Sequence, residues 1–306
     1  MVDTTPTGAG FSRLHRGTPL DEGFAWRDVL PPVVPWHRRT RGGLELPAVG
    51  LRLQGPPACG SPGAGFGAAE LAEVLRGPFT LLDVSDLRPE EVDEVVAPAI
   101  GLLGPDADAV TVAATVRGAP DVEAPGWTRE LVALASLLGR RTVDVVLVDL
   151  GDVPASPHAV DALRRWKQQT SAAGVSVIAG AARTTGAWRQ HLPFDTVVLG
   201  AETTLTGEPG DDPPLPAGTD VLRRLERGPL DAGSSDPSVR RRESVCREFG
   251  TDLPTAVLHH HLHEFRTTSC LVDVRDEDDV RAVLRAAGSW LSQSLFDRLA
   301  DADHPS

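Results

Sequence analysis

The stretch VDVVLVDLGD at residues 143–152 is followed by SPHAVDALRRWKQQTSAAG at 156–174 and VSVIAGAAR at 175–183. The first and third segments contain short, nearly continuous apolar runs, which strands covered on both faces of a sheet require. The middle segment starts with Ser-Pro and ends with glycine, and these residues favour the first and last turns of a helix. The three segments together predict a strand–helix–strand unit with parallel strands.

The same alternation of strand and helix extends in both directions along the chain. Apolar patterns predict further strands at 44–53, 79–86, 109–118, 194–205 and 267–274, and helices at 68–77, 90–103, 128–140, 185–191, 237–250 and 253–265, with two closing helices after them. Repetition of this kind predicts either a doubly wound sheet or a barrel. Seven clear strands favour the barrel, so the predicted fold class is α/β, a (β/α)8 TIM barrel.

Two parts of the chain lie outside this repeat. Residues 1–43 are rich in Pro, Gly and Arg without a period and are interpreted as an irregular N-terminal arm, followed by a barrel domain at 44–306. In the segment 206–236, ten of the 31 residues are Pro or Gly, which indicates a long loop or insertion. The glycine-rich stretch 55–67 lacks the lysine of a phosphate-binding loop and is interpreted as the first loop between strand and helix.

Composition and charge exclude several function classes. The 43 acidic and 30 basic residues give a net charge of -13, which repels nucleic acid and anionic lipid. The sequence has no apolar run near the roughly 20 residues of a membrane span and no apolar stretch for a signal peptide at its start. The three cysteines Cys59, Cys246 and Cys270 lie far apart, without metal-site spacing. We therefore expect a cytoplasmic protein whose partner is a small molecule or another protein.

Several motifs in order carry a family resemblance. They are LPAVGLRLQG at 46–55, LLDVSDLRPEE at 81–91, the strand and helix at 143–174, FDTVVLGAETTL at 194–205, RGPLDAG at 227–233, SVCREFGTDLPTAVLHHHL at 244–262 and CLVDVRDEDDVRAVLRAA at 270–287. From about residue 44 to about residue 290, the chain resembles an aldo-keto reductase, most closely the branch of sugar and aldose 1-dehydrogenases. In the first motif, Arg52 stands where the family's opening strand has its second glycine.

The resemblance implies reduction of a carbonyl by a nicotinamide cofactor, with a catalytic tetrad of Tyr, Lys, Asp and His. At the corresponding positions this chain has Arg88 for the tyrosine, Thr115 for the lysine, Asp83 for the aspartate and Asp149 for the histidine. The chain contains no tyrosine, and its single lysine, Lys167, lies in the helix after the fourth strand. The family's proton relay is therefore absent.

The cofactor positions depart from the family pattern too. In VDVRDEDDVRAV at 272–283, Asp273 replaces a glycine, Asp276 a hydroxyl residue and Val283 an asparagine, and Arg275 alone matches. NADP is the cofactor that the resemblance implies, with Arg275 near its adenosine. The acidic residues beside that position would repel its phosphates, although acids also suit the first turn of a helix.

Three hypotheses for function remain. In the first, the barrel mouth is reused for another reaction, redox or non-redox, on a small molecule in a specialised pathway. Asp83, Arg88 and Asp149 would then be its working groups, and Arg88, which stays protonated, would hold a carboxylate. In the second, the protein is a pseudoenzyme with a degenerate active site that acts as a scaffold, regulator or partner protein. In the third, it remains an NAD(P)H-dependent carbonyl oxidoreductase with a substitute proton donor.

Other reactive residues have simpler interpretations. In HHHLHE at 259–264, His259 and His263 share a helix face, as do His260 and Glu264, which is the spacing of a zinc pair. That helix is expected to pack outside the barrel and has no evident third ligand, so no metal site is predicted. Cys270 lies within an apolar strand and is expected to be a small core residue.

Overall fold

The computed structural model describes residues 37–40, 43, 45–55, 65–151, 153–173, 175–180, 188, 196–200, 219–225, 237–264 and 266–303. Its strands are β1 His37–Arg39, β2 Glu45–Pro47, β3 Val49–Leu53, β4 Leu81–Asp83, β5 Thr111–Arg117, β6 Val145–Asp149, β7 Ser176–Gly180, β8 Thr196–Gly200, β9 Asp220–Leu225 and β10 Thr267–Val274. Its helices are α1 Ala68–Leu75, α2 Pro89–Glu91, α3 Ala97–Leu103, α4 Pro120–Leu137, α5 Pro157–Ala172, α6 Pro237–Glu248, α7 Leu253–His263, α8 Glu277–Gly288 and α9 Gln293–Asp303.

Eight parallel strands, β3 to β10, close into a barrel in chain order, and β10 pairs with β3 to complete it. The closing register sets Cys270 beside Val49 and Asp273 beside Arg52. Helices α1, α4 and α5 connect successive strands on the outside, which is the geometry of right-handed βα units. The predicted (β/α)8 barrel is confirmed.

The eighth barrel strand, β9, was not predicted. It comprises DVLRRL at 220–225, inside the segment 206–236 that the sequence indicated to be a loop or insertion. Two adjacent arginines, Arg223 and Arg224, interrupt the apolar pattern of this strand, which lies in a segment rich in Pro and Gly. The sequence pattern therefore did not indicate a strand. In the structure both arginines are paired with acidic side chains, so their burial is tolerated. The rest of 206–236 lies outside the described residues.

The amino-terminal end of the barrel is covered by a hairpin of β1 and β2, which pair antiparallel. The boundary predicted at residue 43 therefore falls within this hairpin, and residues 1–36 lie outside the described part of the chain. The Arg38 guanidinium donates hydrogen bonds to the carbonyl oxygens of Leu262 and Thr267, which tie the hairpin to the start of β10. Leu46 of β2 is fully buried and packs into the barrel interior.

The barrel interior is a packed apolar core. Its members come from β2 and from alternate positions of the barrel strands, and they are Leu46, Leu81, Ala113, Val145, Leu147, Val198, Leu222 and Leu271. Packing around Gly50 of β3 is so close that an added Cβ would lie 2.8 Å from the Leu81 side chain and 2.9 Å from that of Leu271. Around Gly50, the described part of the interior below the mouth is therefore filled by side chains.

Most predicted helices are confirmed, with two differences. Helix α4 begins at Pro120, eight residues before the predicted start at 128, because Pro125 within it does not end the helix. The helix predicted at 90–103 contains a π-helical turn at Val92–Val96 between α2 and α3. The side chain of Ser156 accepts a hydrogen bond from the amide of Ala159 and caps α5 as predicted. Of the short helix predicted at 185–191, only residue 188 is described.

In the described part of the chain, no helix is both long enough and apolar enough to cross a membrane.

Candidate functional site

The carboxyl-terminal ends of the strands form a mouth filled by charged side chains. Two residues beyond the apolar layer, the inward-facing positions of β3, β4, β9 and β10 carry Arg52, Asp83, Arg224 and Asp273. Register places Asp273, Arg52 and Asp83 side by side on three neighbouring strands. Because side chains alternate between the two faces of a strand, all three point to the same face of the barrel. Together with Asp86, we call these residues the mouth network.

Asp83 lies at the centre of the mouth network and is fully buried. Its Oδ2 atom accepts a hydrogen bond of 3.3 Å from Nη2 of Arg224, across the barrel, and lies 4.0 Å from Nε of Arg52. Its Oδ1 atom accepts a hydrogen bond of 2.9 Å from the backbone amide of Ser85 and another from the Ser85 hydroxyl. Both carboxylate oxygens are therefore engaged within the chain, and two guanidinium groups offset the negative charge.

Arg52 joins the other acids of the mouth network. Its Nη1 atom donates to Oδ1 of Asp273 at 3.0 Å, and its Nη2 atom forms an ion pair with Asp86. The side chain of Gln54 donates a further hydrogen bond of 3.1 Å to Asp86. Only 10% of the Arg52 side chain is exposed, so these contacts form where water screens little charge. Arg52 occupies the space that a glycine would leave open at this position.

Thr115 lies at the edge of the same cluster, at the position that the resemblance assigns to the lysine. Its Oγ1 atom is 2.6 Å from Oγ of Ser85, which is itself bound to Asp83. A threonine hydroxyl carries no charge and cannot lower the pKa of a neighbouring acid as an ammonium group does. Thr115 extends the hydrogen-bond network without taking over the role of a lysine.

Asp149 lies on the more open side of the mouth. Its Oδ2 atom is 3.7 Å from Nε of Arg117, and its Oδ1 atom accepts a hydrogen bond of 3.0 Å from the amide of Gly151. Arg117 also reaches Asp86 at 3.5 Å, which connects Asp149 to the mouth network. The Asp149 side chain is 31% exposed and that of Arg117 is 57% exposed. Asp149 and Arg117 thus form an ion pair at the mouth that is open to solvent.

Arg88 lies apart from the other predicted site residues. It caps α2, where its backbone amide and its Nη2 atom each donate a hydrogen bond of 2.7 Å to Glu91. The side chain is 70% exposed, and the hydrogen bond to Glu91 raises the pKa of the guanidinium above its usual value. The structure therefore brings Asp83 and Thr115 together, connects Asp149 through Arg117, and leaves Arg88 outside.

Sequence reasoning missed the two arginines that hold Asp83. Arg52 was visible as a replacement of the second glycine in the opening strand, but nothing in the pattern indicated an acidic partner. Arg224 gave no signal, because its strand was interpreted as part of a loop. The charge sequence Asp273, Arg52, Asp83 on adjacent strands becomes apparent only once the barrel is closed.

The region predicted to hold a dinucleotide phosphate is occupied by the chain's own carboxylates. Oδ1 of Asp276 accepts from the amide of Asp279 at 2.9 Å and caps α8. Oδ2 of Asp279 accepts from the Arg275 amide at 2.9 Å and lies 3.5 Å from the Arg275 Nε atom. A phosphate at a helix amino terminus needs free amides, and these two are already bound to acids. With Asp273 in place of the glycine, the residues present do not fit NADP.

Two other reactive groups fit their simpler interpretations. Cys270 is fully buried in the core, and burial raises the pKa of its thiol to about 12, so it is not a nucleophile at neutral pH. The ring of His259 is buried, and its Nε2 atom lies 2.8 Å from the carbonyl oxygen of Ala286. Within the described ranges, no three His, Cys, Asp or Glu side chains are grouped closely enough to hold a metal ion.

Comparison with known proteins identifies the fold. No family profile and no curated protein matches the sequence. A thermostable aldo-keto reductase crystallised with the inhibitor epalrestat is similar with a TM-score of 0.64 and 14% identity, over 87% of this chain and 99% of that one. The aldose reductase of Schistosoma japonicum gives 0.62 and 11%, over 89% and 92% of the two chains. An aldo-keto reductase of the silkworm Bombyx mori gives 0.63 and 14%, over 89% and 88%.

These structures share the barrel architecture with this chain over nearly their whole length. At this level of identity, the similarity establishes the fold, which is that of the aldo-keto reductases, and it carries no information on activity.

Proposed function

We propose that this barrel with the aldo-keto reductase fold is a non-catalytic homologue that binds a ligand or partner protein and does not reduce carbonyl compounds. The observation that carries the proposal is the state of Asp83. At the position that the resemblance assigns to the tetrad aspartate, both carboxylate oxygens are bound within the chain, between Arg52 and Arg224. The acid is part of a self-compensating ion network and is not available to a substrate.

The proton-donating capacity of the groups at the mouth supports this proposal. Reduction of a carbonyl by hydride requires a proton donor whose pKa lies near the working pH. Among the residues that the structure describes, the charged and hydroxyl groups at the mouth are guanidinium groups, which stay protonated, hydroxyls of Ser85 and Thr115, and carboxylates held by arginines. None of these groups is suited to deliver a proton to an alkoxide at neutral pH.

The cofactor region favours the same conclusion. Asp276 accepts from the amide of Asp279 in the first turn of α8, and Asp279 accepts from the amide of Arg275 just before it, so a phosphate there would face carboxylates. Two like charges about 4 Å apart repel each other by about 4 kcal/mol at an effective dielectric constant of about 20. The proposal therefore includes the absence of NADP and NAD binding.

The competing proposal is that the mouth supports other chemistry on a small molecule. Its supporting observation is the solvent-exposed pair of Arg117 and Asp149, which lies at the rim where active sites of such barrels are found. In that case Arg117 would bind an anionic group of the substrate and Asp149 would act as the base. Arg88 has no place in this version, because its side chain is held by Glu91 away from the mouth network.

A cofactor titration tests the main proposal. The full chain is titrated with NADPH, NADP and NADH while its unfolding temperature and tryptophan fluorescence are recorded, beside an active aldo-keto reductase as the positive control. We expect no shift at millimolar cofactor. A ligand that binds only the folded state stabilises it by about 2.7 kcal/mol at a hundredfold excess over the Kd. A stabilisation of that size would overturn the proposal and restore the redox hypothesis.

A double substitution separates the two proposals. Arg117→Ala with Asp149→Ala removes the exposed pair at the rim and leaves the contacts of Asp83 with Arg52 and Arg224 in place. If the protein is non-catalytic, the double variant retains the biological function of the wild-type protein in the cell. Loss of that function in a variant that still folds would favour the small-molecule chemistry instead.

A further inference from the structure

A cavity of about 170 Å³ lies beside the barrel, between α7, β10 and α8. Most of its wall is apolar and includes Leu225, Leu258, Val272 and Val283. For comparison, a buried apolar cavity of about 150 Å³ in another protein holds a benzene molecule. The volume therefore suits a ligand with one aromatic ring or a body of similar size. Asp252 and Pro254 are exposed on one side of the cavity, which gives a ligand a route of entry.

The polar part of the wall is acidic. Three acidic residues, Asp252, Asp273 and Asp279, are among those that line the cavity, and no Lys, Arg or His is among its described lining residues. Asp279 has only 8% of its side chain exposed and Asp273 only 12%. Their partners Arg275 and Arg52 belong to the surroundings and do not line the cavity. The wall of the cavity is therefore mostly apolar, and its charged residues are acidic.

The backbone around the cavity cannot attract an anion. Two helices begin at its edge, and both amino termini are capped by the chain itself. Oδ1 of Asp252 accepts a hydrogen bond of 2.8 Å from the amide of Thr255 in α7. Asp276 accepts a hydrogen bond from the amide of Asp279 in the first turn of α8, and Asp279 accepts one from the amide of Arg275 just before the helix. A carboxylate therefore already lies at the positive end of each helix dipole, which disfavours an anion there.

We propose that this cavity binds a small organic cation, such as a primary amine or an amidine, whose apolar body has about the size of a benzene ring. The ammonium or amidinium group would lie beside Asp252 and Asp279, and the apolar body against Leu258 and Val283. Burial of the apolar body provides affinity, and the carboxylates select for positive charge because charges interact strongly at a site of low dielectric constant. The proposal goes beyond the proposed function, since it assigns a ligand to the region beside α8, for which the proposed function only excludes NADP and NAD.

Four probes of similar size test the charge preference. Benzylamine, benzyl alcohol, benzoate and inorganic phosphate are titrated into the full chain at pH 7 and binding is measured by calorimetry and by ligand-observed NMR. We expect benzylamine to bind at least about tenfold more tightly than benzyl alcohol, which corresponds to one favourable charge contact. Benzoate and phosphate are expected not to bind. Equal affinities for the amine and the alcohol would overturn the proposal. So would the absence of benzylamine binding at 10 mM, since a Kd of roughly that value corresponds to a binding free energy of only about −2.7 kcal/mol.

Matched variants locate the site. Asp252→Asn removes a charge but keeps an oxygen that caps α7, since Asn and Asp are equally good N-cap residues. It is expected to weaken benzylamine binding about tenfold with little change in melting temperature. Glu248→Gln removes one negative charge from an exposed position outside the cavity and is expected to leave affinity unchanged. A similar loss in both variants would mean that binding depends on net charge and not on this cavity.

A filled cavity gives the second test. Ala282 lines the cavity, and Ala282→Leu places three more carbon atoms at its edge. Benzylamine and benzyl alcohol should both lose affinity in this variant, while the melting temperature reports that it folds. Unchanged affinity would overturn the proposal.

The outcomes for the two proposals are distinguishable. Binding of NADPH without binding of benzylamine contradicts both, whereas failure of all four probes together with failure of NADPH contradicts the cation site alone. Binding of benzylamine without NADPH supports both.

Discussion

The two ends of the barrel are closed by opposite chemistry. At the amino-terminal end, the hairpin of β1 and β2 inserts the fully buried Leu46 among apolar side chains from β4, β5, β6 and β10. At the carboxyl-terminal end, the inward-facing positions carry Arg52, Asp83, Arg224 and Asp273, which are joined by ion pairs. The same strands thus end in an apolar plug on one side and in a charged network on the other.

This difference indicates which end contributes more to the stability of the barrel. Burial of apolar surface is favourable in itself, at about 25 cal/mol per Å². Burial of a charged network must first overcome the loss of hydration, and replacing such a network by well-packed apolar residues is often neutral. The charges at the mouth therefore do not add stability as a set, but each depends on the others.

The largest effect is expected from removal of the central acid. Asp83→Ala leaves the guanidinium groups of Arg52 and Arg224 without the carboxylate that both contact, and loss of one partner from a buried ion pair costs about 3 to 5 kcal/mol. Urea denaturation measures the change in the free energy of unfolding. Asp149→Ala, at a partly exposed position, is the control with a small effect. A loss below about 1 kcal/mol for Asp83→Ala would show that the network tolerates the missing charge.

A large effect is also expected at the opposite end. Leu46→Ala removes the apolar plug at a fully buried position, and such truncations cost about 3 kcal/mol on average. The same denaturation measurement applies, with Val122→Ala in α4, whose side chain is 70% exposed, as the control. Equal stability of the Leu46 variant and the wild type would mean that the hairpin does not close the barrel in solution.

A double-mutant cycle tests whether the charges at the mouth depend on one another. Asp83→Leu and Arg224→Leu remove both partners of one pair, while Arg52 keeps Asp86 and Asp273. We expect each single variant to be unstable and the double variant to recover about 1 to 3 kcal/mol of the summed loss. Additive effects would contradict a self-compensating network and would assign stability to the individual residues.

Acid should act on the amino-terminal end of the barrel. Burial, with a smaller contribution from His261, lowers the pKa of His260 to about 4 from 6.5. The unfolded chain then takes up this proton first, so the free energy of unfolding falls as the pH drops from about 6.5 to about 4. Burial opposes the ionisation of Glu264, but His261 and Arg223 outweigh burial and lower its pKa from 4.5 to about 2. The free energy of unfolding therefore falls further as the pH drops from 4.5 to about 2.

Urea denaturation at several pH values measures this dependence. His260→Leu, beside Phe296 of α9, should flatten the curve between pH 6.5 and 4, and Glu264→Gln should flatten the part below pH 4.5. Curves that remain parallel to the wild type would show that other groups are responsible.

The smallest effect is expected at the residue that sequence analysis placed in the site. Arg88→Ala removes an exposed guanidinium that pairs with Glu91 three residues later, and ion pairs of this kind contribute little. The melting temperature should match that of the wild type within error, whereas Arg224→Ala should lower it clearly. A strong loss in the Arg88 variant would contradict its position outside the mouth network.

Local patterns were sufficient to predict most elements of the fold. Seven barrel strands, the cap of α5 by Ser156 and the buried state of Cys270 depend on residues close in sequence or on simple apolar periodicity. Strand β9 could not be predicted, because its two arginines are stabilised by Glu264 and Asp83, which lie far along the chain. An isolated sequence with those arginines has the pattern of a solvated loop.

The candidate site was predictable only in part. The positions of Asp83, Thr115 and Asp149 at strand ends followed from the resemblance, and the structure keeps them at the mouth. Their chemistry did not follow, because it depends on contacts between residues that are 221 positions apart for Arg52 and Asp273 and 141 apart for Arg224 and Asp83.

The sequence by itself determined the repeating strand and helix units and the absence of tyrosine. Only the tertiary structure decided that Asp83 is held by two arginines, that Arg88 lies outside and that an acidic cavity adjoins β10. The physical reason is that periodicity and composition act along the chain, whereas charge neutralisation and cavity shape arise when closure of the barrel sets distant strand ends side by side.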